Sequence, residues 1–334
     1  MARPGWAMRR VSAARLLAGL SAALLLALAG AAHSARKAGT LTMSGRITAI
    51  SADGHLVAAH LVVPGRGCDR VLLWKGSDRG TSIAAGCSDA QVDSLALAGT
   101  RVLWVNYDFG NHAYCTLYTA TAARPRRTEI PFCRPDEADT YLGGLAGDGP
   151  LLVFNDWFDF LDQGDVKDVE LRRVEGTRTK KILGGATART VTSVSDGLIA
   201  IRGGLGVLTV VRSDGSVVHR FGIGAQTAKL DGARTVVIRT GTKLTPWDLS
   251  TAVDETPRYM KGSAARLEDV QSGIAVYVLR GEVHLLRLSD GRDVTIRRAV
   301  TGPVHAQLEA PGLFWSHGSS MEFVPMSPVR AALG

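Results

Sequence analysis

No catalytic signature runs through this chain. It contains no GxSxG, no HExxH, no Walker loop, and no GxGxxG that follows a strand and opens a helix. Those absences leave nucleophile-elbow hydrolases, zincins, P-loop enzymes and dinucleotide-binding oxidoreductases without a motif. The sequence has 4 cysteines and none of them forms a CxxC pair, which argues against a Cys₄ metal site. It lacks a helix-turn-helix pattern, zinc-finger spacing and any basic–aromatic stripe, so nucleic acid binding has no support beyond charge. No Pro/Ser-rich linker divides the chain after its first segment, and we read one domain there.

The first segment, residues 1–35, is a secretory signal peptide in this reading. Arg3, Arg9, Arg10 and Arg15 give a basic start, residues 16–28 are Leu/Ala-rich, and Ala29, Gly30 and Ala31 are small enough for cleavage. The apolar run is short for an uncleaved anchor, and no cysteine follows it to carry a lipid. Removing this segment takes away four arginines and no acid, so the formal charge falls from +8 to +4. The mature chain, residues 36–334, is expected to be secreted, monomeric and without a stable membrane insertion.

What is present is repetition. Residues 47–87 read as four short strands joined by tight turns, the first turn being Ala52-Asp53-Gly54. Asp tolerates a left-handed turn position and Gly takes it at little steric cost. A turn glycine followed by branched or aromatic residues recurs at Gly54, Gly99, Gly149, Gly197, Gly232, Gly273 and Gly312, at spacings of 35 to 50 residues. One four-stranded sheet cannot bury both faces, so it needs neighbours of its own kind. A period near forty residues with four strands per unit predicts an all-β fold, a β-propeller of seven four-stranded antiparallel blades, with six the alternative. Pro325, Ser327 and Pro328 oppose an outer strand for the last unit. The segment 40–44, which precedes the first unit, is expected to supply it and close the ring.

The stretch Ser51-Ala52-Asp53-Gly54-His55-Leu56-Val57-Ala58 resembles the SPDGxxxA signature of TolB-like (PD40) propeller repeats, with Ala52 where those repeats carry Pro. Trp247-Asp248, at the end of a third strand, is similar to the WD of WD40 repeats. The resemblance spans roughly residues 40–330 as a strand pattern and implies a fold rather than an activity.

The cysteines test the register. Cys68 and Cys87 lie equidistant from the turn at residues 75–80, and Cys115 and Cys133 are centred on residue 124. Facing positions of an antiparallel hairpin can be bridged, and export permits oxidation, so the expected disulfides are Cys68–Cys87 and Cys115–Cys133. His55, His60, His219, His284 and His317 fall in or beside strands and read as structural. The basic run 124–127 is placed at a turn and the run 178–181 on an outer strand, both as solvated surface. Trp74, Trp104, Trp247 and Trp315 are expected to pack between blades.

One segment departs from the average. Residues 134–170 hold ten acids against Arg134 and Lys167, a local charge of −8. Within it, residues 155–165 read as a long connection between the second and third strands of blade three, and such loops on a rigid scaffold tend to be functional. The expected ligand-binding set is Tyr107, Asp108, Asn111 and His112 from blade two with Asp156, Trp157, Asp159 and Asp162 from blade three. The link between the blades adds Asp136, Glu137 and Asp139. Rings beside carboxylates suit a sugar or an amine. The function expected is that of an extracellular binding or scaffold protein for a protein or glycan ligand, with no catalytic residue assigned and no cofactor required. Two alternatives stand beside it: a secreted hydrolase or lyase using carboxylates of the acidic loop, and a propeller stabilised by Ca²⁺ on clustered Asp oxygens, with no ligand residue assigned because the spacing of Asp159, Asp162 and Asp165 is not that of an EF-hand loop.

Overall fold

Runs of Val, Ile and Leu closed by Asp-Gly and Ser-Asp-Gly turns fold here as antiparallel meanders, one after another. The structure is a computed structural model. It describes residues 38–334 apart from 64, 66–68, 78, 87–90, 110–112, 133–138, 160–165, 186–188, 223 and 300–301.

An N-terminal strand, β1 (Gly39–Thr42), precedes blade one, β2–β5 (Arg46–Asp53, Leu56–Val62, Asp69–Trp74, Thr81–Gly86). Blade two is β6–β9 (Gln91–Ala98, Arg101–Phe109, Ala113–Thr121, Arg124–Ile130) and blade three is β10–β13 (Asp139–Asp148, Leu151–Asp159, Val166–Glu175, Arg178–Gly185). Blade four is β14–β17 (Arg189–Ser195, Leu198–Gly203, Leu208–Arg212, Val217–Phe221). Blade five is β18–β22 (Thr227–Asp231, Thr235–Thr240, Lys243–Asp248, Val253–Asp254, Arg258–Tyr259). Its outer edge is split in two around Pro257, which has no N–H to donate. Blade six is β23–β26 (Arg266–Gln271, Ile274–Leu279, Glu282–Arg287, Asp293–Arg298) and blade seven is β27–β29 (Val304–Glu309, Gly312–His317, Ser320–Pro325). Each blade is a separate sheet in sequence order, giving an all-β propeller ring of seven blades.

The ring closes as the sequence predicts. β1 pairs antiparallel with β29, Leu41 facing Met321, so the fourth strand of blade seven comes from the other end of the chain. After β29 the chain turns into a helix, α1 (Met326–Leu333), which buries Met326, Val329 and Leu333. Pro328 sits in its first turn, where a missing N–H costs nothing.

The core lies between blades rather than within them. Among the described residues seven apolar clusters are present, and each joins two neighbouring blades. The second strands are accordingly buried almost throughout, as in β3, β24 and β28, because both of their faces meet a neighbour. The fourth strands face water, as in β9. Trp74 joins blade one to blade seven and Trp104 joins blade two to blade one, at 1% and 0% exposure. Trp247 and Trp315 lie at the four–five and six–seven junctions. Truncating such a ring to Ala costs about 3–5 kcal/mol.

Three expectations are corrected. Residues 155–159 are not loop: β11 continues to Asp159 and β12 resumes at Val166. The turn of blade two is Ala122-Ala123, and Arg124 to Arg127 already belong to strand β9, because the hairpin closes at the pair Thr121–Arg124. Gly312 is not the turn glycine of blade seven. It opens β28 after a turn at Ala310-Pro311, whereas Gly54 and the five others have φ between 55° and 79°.

Candidate functional site

Two places gather polar side chains. One is the axis. The innermost strands of all seven blades line a cavity of about 210 Å³, with Asp148, Asp196, Lys229, Asp269, Gln307 and Glu309 on its wall. Most of these carboxylates are committed to backbone donors of other blades. Asp53 Oδ2 accepts from the N–H of Gly99 and of Gly149, both at 2.6 Å. Asp148 accepts from Asp196 N–H at 2.6 Å, and Asp231 from Ser272 and Gly273 N–H at 2.7 and 2.6 Å. Asp269 accepts from Leu308 N–H at 2.9 Å and Glu309 from Gly54 N–H at 3.1 Å. Ser51, Ser193 and Gln307 make the same kind of joint with Leu97, Leu230 and Ala52.

Burial dominates the electrostatics there. It lifts the Glu309 carboxyl to about 8, with Asp269, Asp53 and Asp148 adding to the rise. It lifts Asp269 to about 6 against the opposing pull of Lys229. Asp148 is raised for the same first reason. A neutral Glu309 still accepts from Gly54 through its carbonyl oxygen, so these acids act foremost as joints.

The second place is the opposite end, where the second and third strands of blades two and three meet. Their hairpins are longer than the rest: β7, β8 and β11 have 9 residues and β12 has 10, whereas the equivalent strands of blades four to seven have 5 or 6. Roughly three extra residues raise a hairpin by about 10 Å.

Of the expected ligand set, Tyr107 and Asp156 lie at the base of these hairpins. Tyr107 is 4% exposed, and its hydroxyl accepts from Leu142 N–H at 2.6 Å, tying blade two to blade three. Asp156 is fully buried. Its Oδ1 accepts from Glu170 N–H at 3.1 Å, and Arg172 Nε stands 3.4 Å from Oδ2. Burial raises Asp156 to about 6; Glu170 adds to the rise and Arg172 opposes it. Asp108, Trp157 and Asp159 are strand residues, paired with Tyr114, Tyr141 and Asp139. Asn111, His112, Asp162 and Asp165 lie outside the described residues, as do Asp136 and Glu137. Among the described residues no group of three or more His, Cys, Asp or Glu is placed to hold a metal ion.

Two of the histidines read as structural, His60 and His284, are buried and hydrogen-bonded within their blades. His60 is 3% exposed between Thr48 and Asp69, and burial pulls its imidazole below the ordinary value against the attraction of Asp69. His284 stacks on Tyr277 and bonds Asp293 and Glu282. Cys115 is buried and is not a free thiol, while Cys68, Cys87 and Cys133 lie outside the described residues. Sequence reasoning missed the interblade carboxylates. Their signal was there, as an acid directly before the turn glycine in Asp53-Gly54, Asp148-Gly149 and Asp231-Gly232, but it reads equally well as turn chemistry.

No protein-family model matches the chain, and no curated protein sequence does. Solved structures share the fold. A chain from a structural and mechanistic analysis of two prolyl endopeptidases aligns with a TM-score of 0.56 and 12% identity, over 82% of this chain and 46% of that one. A chain of the mitotic checkpoint complex aligns with a TM-score of 0.57 and 11% identity, over 86% of this chain and 91% of that one. The chain thus spans about half the length of the prolyl endopeptidase. At such identities the likeness concerns the fold alone. Among the described residues no helix is long and apolar enough to cross a membrane.

Proposed function

We propose that the protein is an exported binding or scaffold propeller whose extracellular ligand, a protein or a glycan, docks on the raised hairpins of blades two and three. The observation that carries the reading is the length of those hairpins. Two adjacent blades extend past their neighbours, and both extensions carry aromatic and acidic residues: Tyr107, Asp108 and Phe109, then Trp157, Phe158 and Asp159. Tyr107 and Asp156 anchor this wall from below, and Asp108, Trp157 and Asp159, further along the same strands, are the ligand-binding candidates. A rigid base under a short polar–aromatic edge is the arrangement in which stacking and hydrogen bonding combine at low ordering cost. The repeat signature at residues 51–58 supports kinship with TolB-like propellers, and the leader at residues 1–35 supports export.

The test is a binding screen of the secreted chain against glycan and peptide arrays, followed by titration calorimetry with the hit. Trp157→Ala and Asp159→Ala should each weaken binding about tenfold or more with melting preserved. A ligand bound equally well by both variants would place the site elsewhere. Turnover of an array member by the wild type, lost in Asp159→Ala, would favour the hydrolase reading instead.

A further inference from the structure

The outer rim of blades two and three holds a second feature, at the end opposite the raised hairpins. A groove of about 500 Å³ runs between the third-to-fourth-strand turns of the two blades, and its charged lining is Arg101, Arg124 and Arg126. Among the described residues no Asp or Glu lines it.

Strand geometry explains the convergence. Thr119 pairs with Thr128 and Leu117 with Ile130, and Ile130 packs in the blade two–three cluster, so this face of β9 looks toward blade three. Arg126 follows Thr128 at the two-residue period of a strand, and Arg124 faces Thr121 on the same side after a register shift. Arg127 points the other way, over the Tyr118 ring at 5.1 Å and toward the Ala85 carbonyl at 3.3 Å. Arg101 enters from the start of β7, and its guanidinium donates to Gly176 O at 2.8 Å. That bond holds the turn of blade three against blade two and fixes the width of the groove.

The side chains of Arg124 and Arg126 have no ion pair or hydrogen bond among the described residues, although both are exposed beside other charges. The acids nearest in sequence are turned away or occupied: Glu129 shares the Arg127 face, and Glu175 pairs with Arg173. Thr121 Oγ1 accepts from Arg124 N–H at 3.1 Å, which leaves its own proton for a ligand. The hydroxyls of Thr128 and Thr177 line the same groove.

We infer that this groove binds a small ligand carrying a tetrahedral oxyanion, a phosphate or sulfate ester of about the size of a sugar phosphate. Three guanidiniums without a counter-charge repel one another in a concave site, and an anion there relieves that repulsion. Planar guanidinium forks match the oxygens of phosphate and sulfate two at a time. A volume of about 500 Å³ suits a small molecule and exceeds what a bare ion needs.

The experiment is titration calorimetry of the full secreted chain with pyrophosphate, glucose 6-phosphate and glucose 6-sulfate, each at low and high salt. Saturable binding of at least one, weakened by salt, is expected. Glucose 6-phosphate against glucose 6-sulfate separates the two ester classes, and preference for either supports the inference. Arg124→Gln and Arg126→Gln lie at exposed positions and should each weaken binding about tenfold. Arg127→Gln, on the far face of the same strand, should leave it unchanged, as should Trp157→Ala. Absence of saturable binding by all three probes overturns the inference. So does an Arg127→Gln loss as large as that of Arg126→Gln, which would mark diffuse attraction to surface charge.

Discussion

Asp53 and Gly149 lie 96 positions apart in the chain and two blades apart in the ring, yet the carboxylate of one accepts the backbone N–H of the other at 2.6 Å. The same oxygen also serves Gly99 of blade two. Blade two ends its first strand on Ala98, where blades one, three and five end theirs on Asp53, Asp148 and Asp231. With no carboxylate of its own to offer blade three, blade two is bridged by Asp53. One side chain therefore holds three blades. Asp53→Ala should leave two turn amides without an acceptor and cost about 2–4 kcal/mol, more than Asp148→Ala, which serves one amide. Urea unfolding midpoints would check this, and a smaller loss in Asp53→Ala than in Asp148→Ala would contradict the bridge.

The axial carboxyls give stability a definite pH slope. Glu309 sits at about 8 in the folded chain and at 4.5 when free. Between those values the native state holds a proton that the unfolded chain has lost. Its stabilising contribution is therefore present at low pH and is lost as pH rises toward 8. Asp269 acts in the same direction between 3.8 and about 6. Glu309→Gln keeps an acceptor for Gly54 and cannot ionise. It should flatten the decline between pH 6 and 8 and reduce, without abolishing, the slope between 4.5 and 6, where Asp269 still contributes. Unfolding midpoints measured across this range decide it, and an unchanged slope would show that Glu309 titrates normally.

The strand order and blade number were legible because both follow from local signals. Asp-Gly turns, branched runs and a period near forty need no knowledge of long-range packing. Closure was legible because Pro325 and Pro328 forbid one strand and residues 40–44 offer another. What was not legible is set by distance. The reach of β7 and β11 past Asn106 and Asn155 depends on the neighbouring strand continuing to pair, as Tyr141 does with Trp157, and no local rule states this. Asp53 looks like a turn residue until Gly99 and Gly149 are brought beside it. The groove of Arg101, Arg124 and Arg126 was hidden by a two-residue error in the turn, which placed Arg124 and Arg126 on a loop tip instead of one strand face.

The register of blade one supports the expected Cys68–Cys87 bond. Asp69 pairs with Gly86, and each cysteine is the next residue outward from that pair. In blade two, Leu117 pairs with Ile130, so position 115 is matched by 132, one short of Cys133. We expect Cys68–Cys87 and Cys115–Cys133 in the oxidised chain, each contributing about 3 kcal/mol for a loop of this length. The first should be the less strained and the second the more readily reduced. Non-reducing peptide mapping checks the pairing, and graded dithiothreitol checks the order. Any peptide joining blade one to blade two would refute the assignment.

The seam between the chain ends is the point at which the ring can be opened without touching a blade interior. β1 contributes four paired residues to β29, and Met43 N–H adds a bond to Ser319 O at 3.0 Å. Leu41 and Met43 cover a cluster that contains Trp74, Met321 and Phe323, each at or below 1% exposure. Removing residues 36–45 therefore strips a sheet edge and opens the apolar joint of blades one and seven together. A propeller gains its cooperativity from having no free blade face, so the loss should reach the whole ring and lower the melting temperature by about 5 °C or more. A point change tests the same seam without shortening the chain. A Cβ added to Gly39 would stand 2.0 Å from the Gly76 carbonyl oxygen, so Gly39→Ala must push β1 off blade one. Its melting temperature should fall in the same direction by a smaller amount, while Thr40→Ala, at an exposed position of the same strand, should have little effect. Wild-type melting in both the deletion and Gly39→Ala would mean that blade seven holds without its fourth strand.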